Sequence, residues 1–411
     1  MDKLIYLDNN ATTKTDERVL EAMMPYFKEE YANPSSMYDF SKKSSHAIKE
    51  ARGKLKDFLG AKDEKEIIFT SCGSESANTA IRGYLANSKK KHIITTKIEH
   101  PCVLNVYKYL EKQGYKVDYV GVNSNGELNI DEFSNLITDD TALVSVMWAN
   151  NETGVLNPVK EISQIIKSKN PETKFFVDGV QAAGKVPINV EECGIDMLGI
   201  SGHKLHAPKG IGALYVNSKT MISPLIIGGH QERGKRAGTE NVPYIVGLGK
   251  ACELATDNLE YEMTEVKRLR DKLEKGIIKN IYNARVNTNL AQRVPNTTNI
   301  GFEYIEGELI LLHLSDLGIC ASSGSACTSG SLEPSHVLRA MNVPFTAIHG
   351  SIRWSLSRFT TEDEIDYVIE KLPKVIDDIA RISPYQTELK ELRERRQGSC
   401  PNCTGTCCKN N

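Results

Sequence analysis

The stretch FFVDGVQAAGKVPINVEECGIDMLGISGHK, residues 175–204, decides the fold. It holds two short apolar runs, Phe175 to Asp178 and Met197 to Ser201, and each closes on a polar or charged group. Continuous apolar runs of this length, rather than alternating ones, read as strands buried on both faces. Five more candidate strands lie around them: Ile67 to Thr70, His92 to Thr96, Val117 to Val120, Leu143 to Trp148 and Ile211 to Val216. Helical patterns such as Ser44 to Leu59 and Val159 to Lys167 run between them. Repeated β-α alternation predicts an α/β fold with a mostly parallel seven-stranded sheet covered by helices.

Working outward, residues 15–257 form the large domain in this reading. From Asn258 to about 280 the chain turns charged and helical, with Glu262, Glu265, Lys267, Arg268, Arg270 and Asp271. Shorter elements follow and end in a helix near Glu362 to Ile379. Residues 258–382, joined by 1–14, are expected to make a smaller α/β domain. Residues 383–411 form a charged and then Cys-rich tail, expected to take little fixed structure unless something binds it.

The chain has 411 residues and a net charge of -2, from 51 basic and 53 acidic side chains. That balance argues against nucleic acid or an anionic membrane as the main partner. The opening Met1-Asp2-Lys3-Leu4 lacks the pattern of a signal peptide. No segment approaches the roughly 18 apolar residues of a membrane span. A soluble, cytoplasmic protein is expected. Ten cysteines are too sparse for a disulfide scaffold, and four of them crowd the end of the chain: Cys400, Cys403, Cys407 and Cys408. In a reducing compartment such clustering points to metal or sulfur chemistry.

Three strand ends carry the chemistry, because ligands of open α/β sheets bind beyond the carboxyl ends of strands. Ser71-Cys72-Gly73-Ser74-Glu75-Ser76-Ala77-Asn78 follows the first strand and opens a helix, where free N–H groups and the helix dipole suit a phosphate. A plain N-capped turn reads the same way. Asp178 sits at the end of a buried strand, where a carboxylate needs a partner; a pyridinium nitrogen would be one, and a helix cap is the alternative. Lys204, after Ser201-Gly202-His203, stands where a buried amine can form an imine with an aldehyde cofactor. A lone lysine carries no such meaning; its company does. Phosphate cup, ring-nitrogen carboxylate and imine lysine, in that order, are what pyridoxal phosphate (PLP) requires.

With these residues in view, the chain resembles the class V aminotransferase family of PLP fold type I, and within it the cysteine desulfurases of the NifS/IscS type. The resemblance runs from Tyr6-Leu7-Asp8-Asn9-Asn10-Ala11-Thr12-Thr13 to about residue 385. It includes Asn33-Pro34-Ser35-Ser36, Glu99-His100, Asn150-Asn151-Glu152-Thr153-Gly154, Arg236-Ala237-Gly238-Thr239, and Ser322-Ser323-Gly324-Ser325-Ala326-Cys327-Thr328-Ser329 followed by Leu332-Glu333-Pro334-Ser335. It departs at Tyr38, Ser41, Cys72 and Ser74, none of which removes a catalytic group.

The resemblance implies a role for each matched residue. Lys204 carries PLP covalently. Asp178 pairs with the pyridine nitrogen, Gln181 meets the ring hydroxyl, and Asn151 lies beside that oxygen and the substrate. His100 stacks on the ring and is a candidate proton shuttle. Gly73, Ser74, Ser201 and His203 hold the phosphate, and Thr239 reaches the phosphate of a neighbouring subunit, which implies a homodimer. Arg353 clamps the substrate carboxylate, with Asn33 also near the substrate.

Cys327, on a loop of about residues 320–335, chooses a sulfur substrate. Its thiolate would attack the sulfur of L-cysteine, leaving L-alanine and a Cys327 persulfide, with protonated His100 or the cationic site favouring the thiolate. The Ser-, Gly- and Thr-rich loop suits a mobile arm that visits the cofactor and then an acceptor. The acceptor is expected to be an iron–sulfur scaffold protein or another sulfur acceptor, so that Cys327 itself meets iron–sulfur chemistry transiently. Cys400, Cys403, Cys407 and Cys408 supply four thiolates for zinc or an iron–sulfur cluster, or act as a sulfur-relay arm or redox switch. The rival readings are a selenocysteine lyase or class V aminotransferase, and a non-enzymatic metal- or scaffold-binding protein working through its tail. An aminotransferase needs no Cys327, and the last reading makes no use of Lys204, Asp178 and His100.

Overall fold

The computed structural model describes residues 4–288, 290–323 and 334–396. Their strands are β1 Ile5–Tyr6, β2 Ile67–Thr70, β3 His92–Thr96, β4 Lys116–Val120, β5 Thr141–Met147, β6 Lys174–Asp178, β7 Met197–Ser201, β8 Gly212–Val216, β9 Ala284–Val286, β10 Thr297–Phe302, β11 Ile319–Cys320, β12 Ser322–Ser323 and β13 Ser351–Ser355. The large sheet has seven strands in the order β2-β8-β7-β6-β5-β3-β4. Six run parallel to one another, and β8 is antiparallel to both of its neighbours. The parallel strands keep their apolar runs because helices cover both faces. β5 is buried at every residue.

Two helices show how sequence sets the covering layer. Lys42–Leu59 buries Ala47, Ile48, Ala51, Leu55 and Leu59 at helical spacing and stops at Gly60, whose φ of 67° closes the helix. Val242–Asp257 starts where the Asn241 side chain accepts the Tyr244 N–H. The two cross at Gly249, where a Cβ would stand 2.8 Å from the Ala51 Cα. Small residues at this crossing set the close approach of the two backbones.

A second core gathers Ile5, Leu7 and side chains between Val266 and Leu389. Its four-stranded sheet has the order β12-β13-β10-β9. The helix Glu362–Ile382 lies on it, with a capping box of Thr361 and Glu364 and a buried row of Ile365, Val368, Leu372, Val375, Ile376 and Ile379. β1 pairs with β11 in parallel, Ile5 against Ile319, so the N-terminal segment belongs to this core before it crosses to the large sheet.

The structure departs from the sequence reading in two places. The charged stretch after 258 is not one regular helix: a π turn at Glu262–Val266 precedes the helix Lys267–Asn280, and it places Glu262 in the interior. Residues Gln386–Arg396, expected to have little structure, form a helix. Leu389 is buried, Arg393 pairs with Asp377 at 2.6 Å, and Arg396 donates to the carbonyls of Ile278 and Ile281. Those carbonyls end the helix Lys267–Asn280, where acceptors lack partners and the dipole favours a cation.

Candidate active site

The C-terminal ends of the parallel strands open on one cavity of about 340 Å³. Each end delivers a group for a local reason. β6 ends in Asp178, and a run of turns carries Gln181 beneath it. β7 ends in Ser201 and passes into a 3₁₀ turn over Gly202–Lys204, which aims Lys204 across the cavity. β2 leads through Ser71 and Cys72 into the helix Gly73–Leu85. His100 caps the helix Pro101–Lys112 that follows β3. Gly73, Ser74, His100, Asn151, Asp178, Gln181, Ser201, His203, Lys204 and Arg353, all named from the sequence, line this cavity together.

Asp178 is buried; its Oδ1 accepts the Val180 N–H at 3.0 Å, and its Oδ2 is 3.9 Å from the Cys102 thiol. Burial pushes its carboxyl up, against the pull of His100 and Lys204. A cationic ring nitrogen is the partner that restores the ionised form. Burial, together with the charge of Lys204, pushes His100 down, and Asp178 opposes this. Its Nδ1 accepts the Cys102 N–H at 3.1 Å, so the neutral ring carries its proton on Nε2. The expectation that a protonated His100 favours the thiolate therefore meets an imidazole biased to neutrality, and Lys204 and Arg353 are the cations lining the cavity.

Beside them, the turn at Gly73 opens a 13-residue helix whose N-cap makes no side-chain bond. A Cβ at Gly73 would lie 2.9 Å from Val180 Cγ2, so only glycine leaves the cup open. Ser201 Oγ is buried without a hydrogen-bond partner among the described residues. Free N–H groups, an unsatisfied hydroxyl, a buried carboxylate and a lysine amine match the phosphate, ring nitrogen and aldehyde of PLP. His203, pushed down to about 4 by burial, holds Thr12 Oγ1 at 3.1 Å and is neutral.

Arg353 stands on β13, buried, with Nη1 on the Asn151 carbonyl at 3.0 Å and Nη2 on Asp8 Oδ1 at 2.6 Å. Its Nε–H is buried and has no partner among the described residues. Asn10 ties the groups together. Its carbonyl accepts Lys204 Nζ at 2.7 Å and Gln181 Nε2 at 3.1 Å, and its Nδ2 donates to the Asn151 carbonyl at 3.2 Å. Asn10, Asp8 and Cys102 were given no role from the sequence. Asn10 and Asp8 lie in a quoted motif, but their partners are far away in the chain; nothing in the sequence marks Cys102.

Two sequence candidates stand apart from the cavity. Thr239 and Asn33 are exposed and do not line it. Cys327, Cys400, Cys403, Cys407 and Cys408 lie outside the described residues. The flanks of the Cys327 segment are described, and both meet the site. Ser322 and Ser323 pair with Arg353 and Ile352. Ser335 Oγ donates to Glu152 Oε2 at 2.5 Å, next to Asn151, and His336 Nε2 meets the Glu99 carbonyl at 2.9 Å, next to His100. Among the described residues no cluster of three or more His, Cys, Asp or Glu is arranged to hold a metal, and no helix is long and apolar enough to cross a membrane.

The family model for class-V aminotransferases matches residues 5–368, and the chain belongs to that family. Within it the chain falls with the cysteine desulfurases. It is 57% identical to the cysteine desulfurase of Nostoc sp. over 386 residues, which cover 94% of this chain and 96% of that one. It is 52% identical to the cysteine desulfurase NifS of Azotobacter vinelandii over 382 residues, covering 93% and 94%. A solved NifS-like protein superposes with a TM-score of 0.86 at 40% identity, over 91% of this chain and all of that one. SspA in complex with cysteine superposes at 0.77 with 35% identity, over 87% of this chain and all of that one.

Proposed function

We propose that the chain is a PLP-dependent cysteine desulfurase that converts L-cysteine to L-alanine and places the sulfur on Cys327. The observation that carries the proposal is the attachment of both flanks of the Cys327 segment beside the cavity, one on the strand of Arg353 and one on Glu152 and Glu99. PLP, when bound, supplies an aldehyde for the substrate amine and a ring that accepts the electron pair of the α-carbon. Lys204 would hold the cofactor, Asp178 its ring nitrogen, Gln181 and Asn151 the ring-oxygen side, and Gly73, Ser74, Ser201 and His203 the phosphate.

The chain's own groups then divide the work. Arg353 receives the substrate carboxylate and fixes the α-carbon, with Asn151 held beside it. Lys204 Nζ takes the α-proton, or His100 does so at its ring, which reaches the same cavity. The Cys327 thiolate forms the new S–S bond as the substrate's C–S bond breaks. The electron pair of that bond stays on carbon, which takes up a proton and leaves as alanine. A thiol of the acceptor collects the outer sulfur and returns Cys327 to the thiol; we assign that acceptor to iron–sulfur cluster assembly.

We assign a homodimer on the role that the resemblance gives Thr239. It is exposed and outside its own cavity, on a segment tied to the phosphate turn by Arg236 Nε to Glu75 Oε1 at 3.0 Å and by Ser71 N–H to Glu75 Oε2 at 2.7 Å. From there it serves the phosphate of a second copy. The thiolates of Cys400, Cys403, Cys407 and Cys408 are assigned to zinc or an iron–sulfur cluster.

The test is cysteine turnover with a thiol reductant, scoring alanine and sulfide for wild type beside Cys327→Ala. Both proteins should take up PLP and turn yellow, since Lys204 is untouched. The expected result is both products from wild type and neither from the variant. A fully active variant refutes Cys327 as the nucleophile.

A further inference from the structure

A second lysine lies behind Lys204. Lys185 is buried. Its Nζ donates to Gln181 Oε1 at 2.7 Å and to Asn10 Oδ1 at 3.3 Å. Gln181 and Lys185 lie four residues apart in a run of turns, closed by Ala182 and Ala183 N–H to the Gly179 carbonyl and by Val186 N–H to Ala182. Their side chains therefore reach each other on one face. Gly184, at φ 73°, permits the return of the chain.

These contacts fix the Gln181 amide. The Asn10 carbonyl can only accept, so the amide turns its nitrogen there and its oxygen to the Lys185 amine, which donates to it. The Gln181 nitrogen is then the atom turned to the Asn10 carbonyl and the cavity, with one hydrogen on that carbonyl and one left over. Asn10 is locked in turn, by Thr297 Oγ1 at 2.9 Å and by Asn296 Nδ2 at 3.2 Å. Lys185 and Asn10 thus hold the amide from its two ends.

Lys185 also sets charge. The groups facing it are Lys204 from the turn after β7, Arg353 from β13, Glu262 from the π turn and His206 from the loop beyond Lys204. Lys185 and Glu262 share a small void of about 20 Å³ that Lys204 also lines. Burial, with Lys204 and Arg353 near it, brings Lys185 down to about 7, and Glu262 opposes them. Burial brings Glu262 up to about 7.

We infer that Lys185 is a positioning residue of the reaction: it holds the Gln181 amide as a hydrogen-bond donor toward the cofactor's ring oxygen and, while protonated, places a cation behind Lys204. The inference rests on the reading that the cavity takes PLP and that Gln181 meets its ring oxygen. Both effects have one sign. A donor at the ring oxygen stabilises its oxyanion, and a cation near Lys204 disfavours a proton on the Lys204 nitrogen. Each lowers the pH at which the proton shared by that nitrogen and that oxygen is lost.

The test is a pH titration of the cofactor's absorption band in PLP-loaded wild type, Lys185→Met and Lys185→Gln, with thermal melting of each. Wild type that takes up PLP establishes the cofactor reading; failure to take it up overturns that reading and this one with it. In Lys185→Met the midpoint should rise by about one pH unit. Lys185→Gln, which can still donate to Gln181 but has no charge, should rise by less, and it serves as the readout if the Met variant does not fold. An unmoved midpoint in a variant that melts like wild type overturns the inference, because a purely structural lysine would change melting and leave the band alone. Equal rises in the two variants overturn the amide-holding part.

Discussion

Replacing Arg353 by Lys tests how the substrate carboxylate is held. The guanidinium has five N–H donors. One is spent on the Asn151 carbonyl and one on Asp8, and the buried Nε–H has no partner among the described residues. A carboxylate entering the cavity can take Nε–H and a neighbouring N–H as a fork. Lysine keeps the charge but loses the fork and leaves either Asn151 or Asp8 without its donor. One charge-assisted hydrogen bond is worth about 1.5–3 kcal/mol, so kcat/KM for cysteine should fall about 10- to 150-fold. The carboxylate is held alike before and during the reaction, so most of the loss should appear in KM. PLP uptake should be retained, because Arg353 meets the substrate side. Steady-state kinetics of alanine formation read both constants. An unchanged KM with a large fall in kcat would refute the carboxylate role and point to Arg353 as a support of Asn151 alone.

Two further outcomes follow from the charges. His100 lies below its ordinary value of 6.5 because burial and Lys204 disfavour its cation. The acid limb of kcat/KM should therefore fall below pH 6.5, and His100→Gln should move that limb; a limb at or above 6.5 that the variant leaves in place would count against His100 as the proton carrier. Asp16 accepts Arg18 at 2.8 Å and Arg358 at 2.9 Å, which hold its carboxyl well below 3.8. A depressed carboxyl stabilises the fold above its unfolded value and loses that contribution as pH falls through the folded one. Asp16→Asn, which can still cap the helix at Glu17, should cost about 2 kcal/mol in urea unfolding at pH 7, with the difference shrinking below pH 3.8; a constant difference would show that charge is not the cause.

The strands of the large sheet were readable because each is an apolar run ended by small or polar residues. Where boundaries moved, as at Lys116 for Val117 and Thr141 for Leu143, the added residues Lys116, Thr141 and Ala142 simply extend the strands. The reversed direction of β8 was not readable, since an apolar run has no direction; the short turn from Gly202 to Ile211 sets it. The helix Gln386–Arg396 was missed because it has almost no apolar face, and Arg393 and Arg396 find their partners on segments distant in the chain. Lys185, read along the chain, is one basic residue among 51. Its meaning comes from Asn10, 175 residues away.

By itself the sequence determined the alternation of strands and helices and the groups placed at strand ends: Ser74, Asp178, Ser201 and Lys204. Local chemistry suffices for these, because a strand end, a helix start and a glycine turn are set by a few neighbouring residues. Tertiary structure alone decided how those ends meet. It brought Asn10 and Asp8 from the N-terminal segment, and Arg353 from β13, onto one cavity. It also shifted His100 down and Asp178 up, because burial and the charges that face a group depend on what folding packs around it.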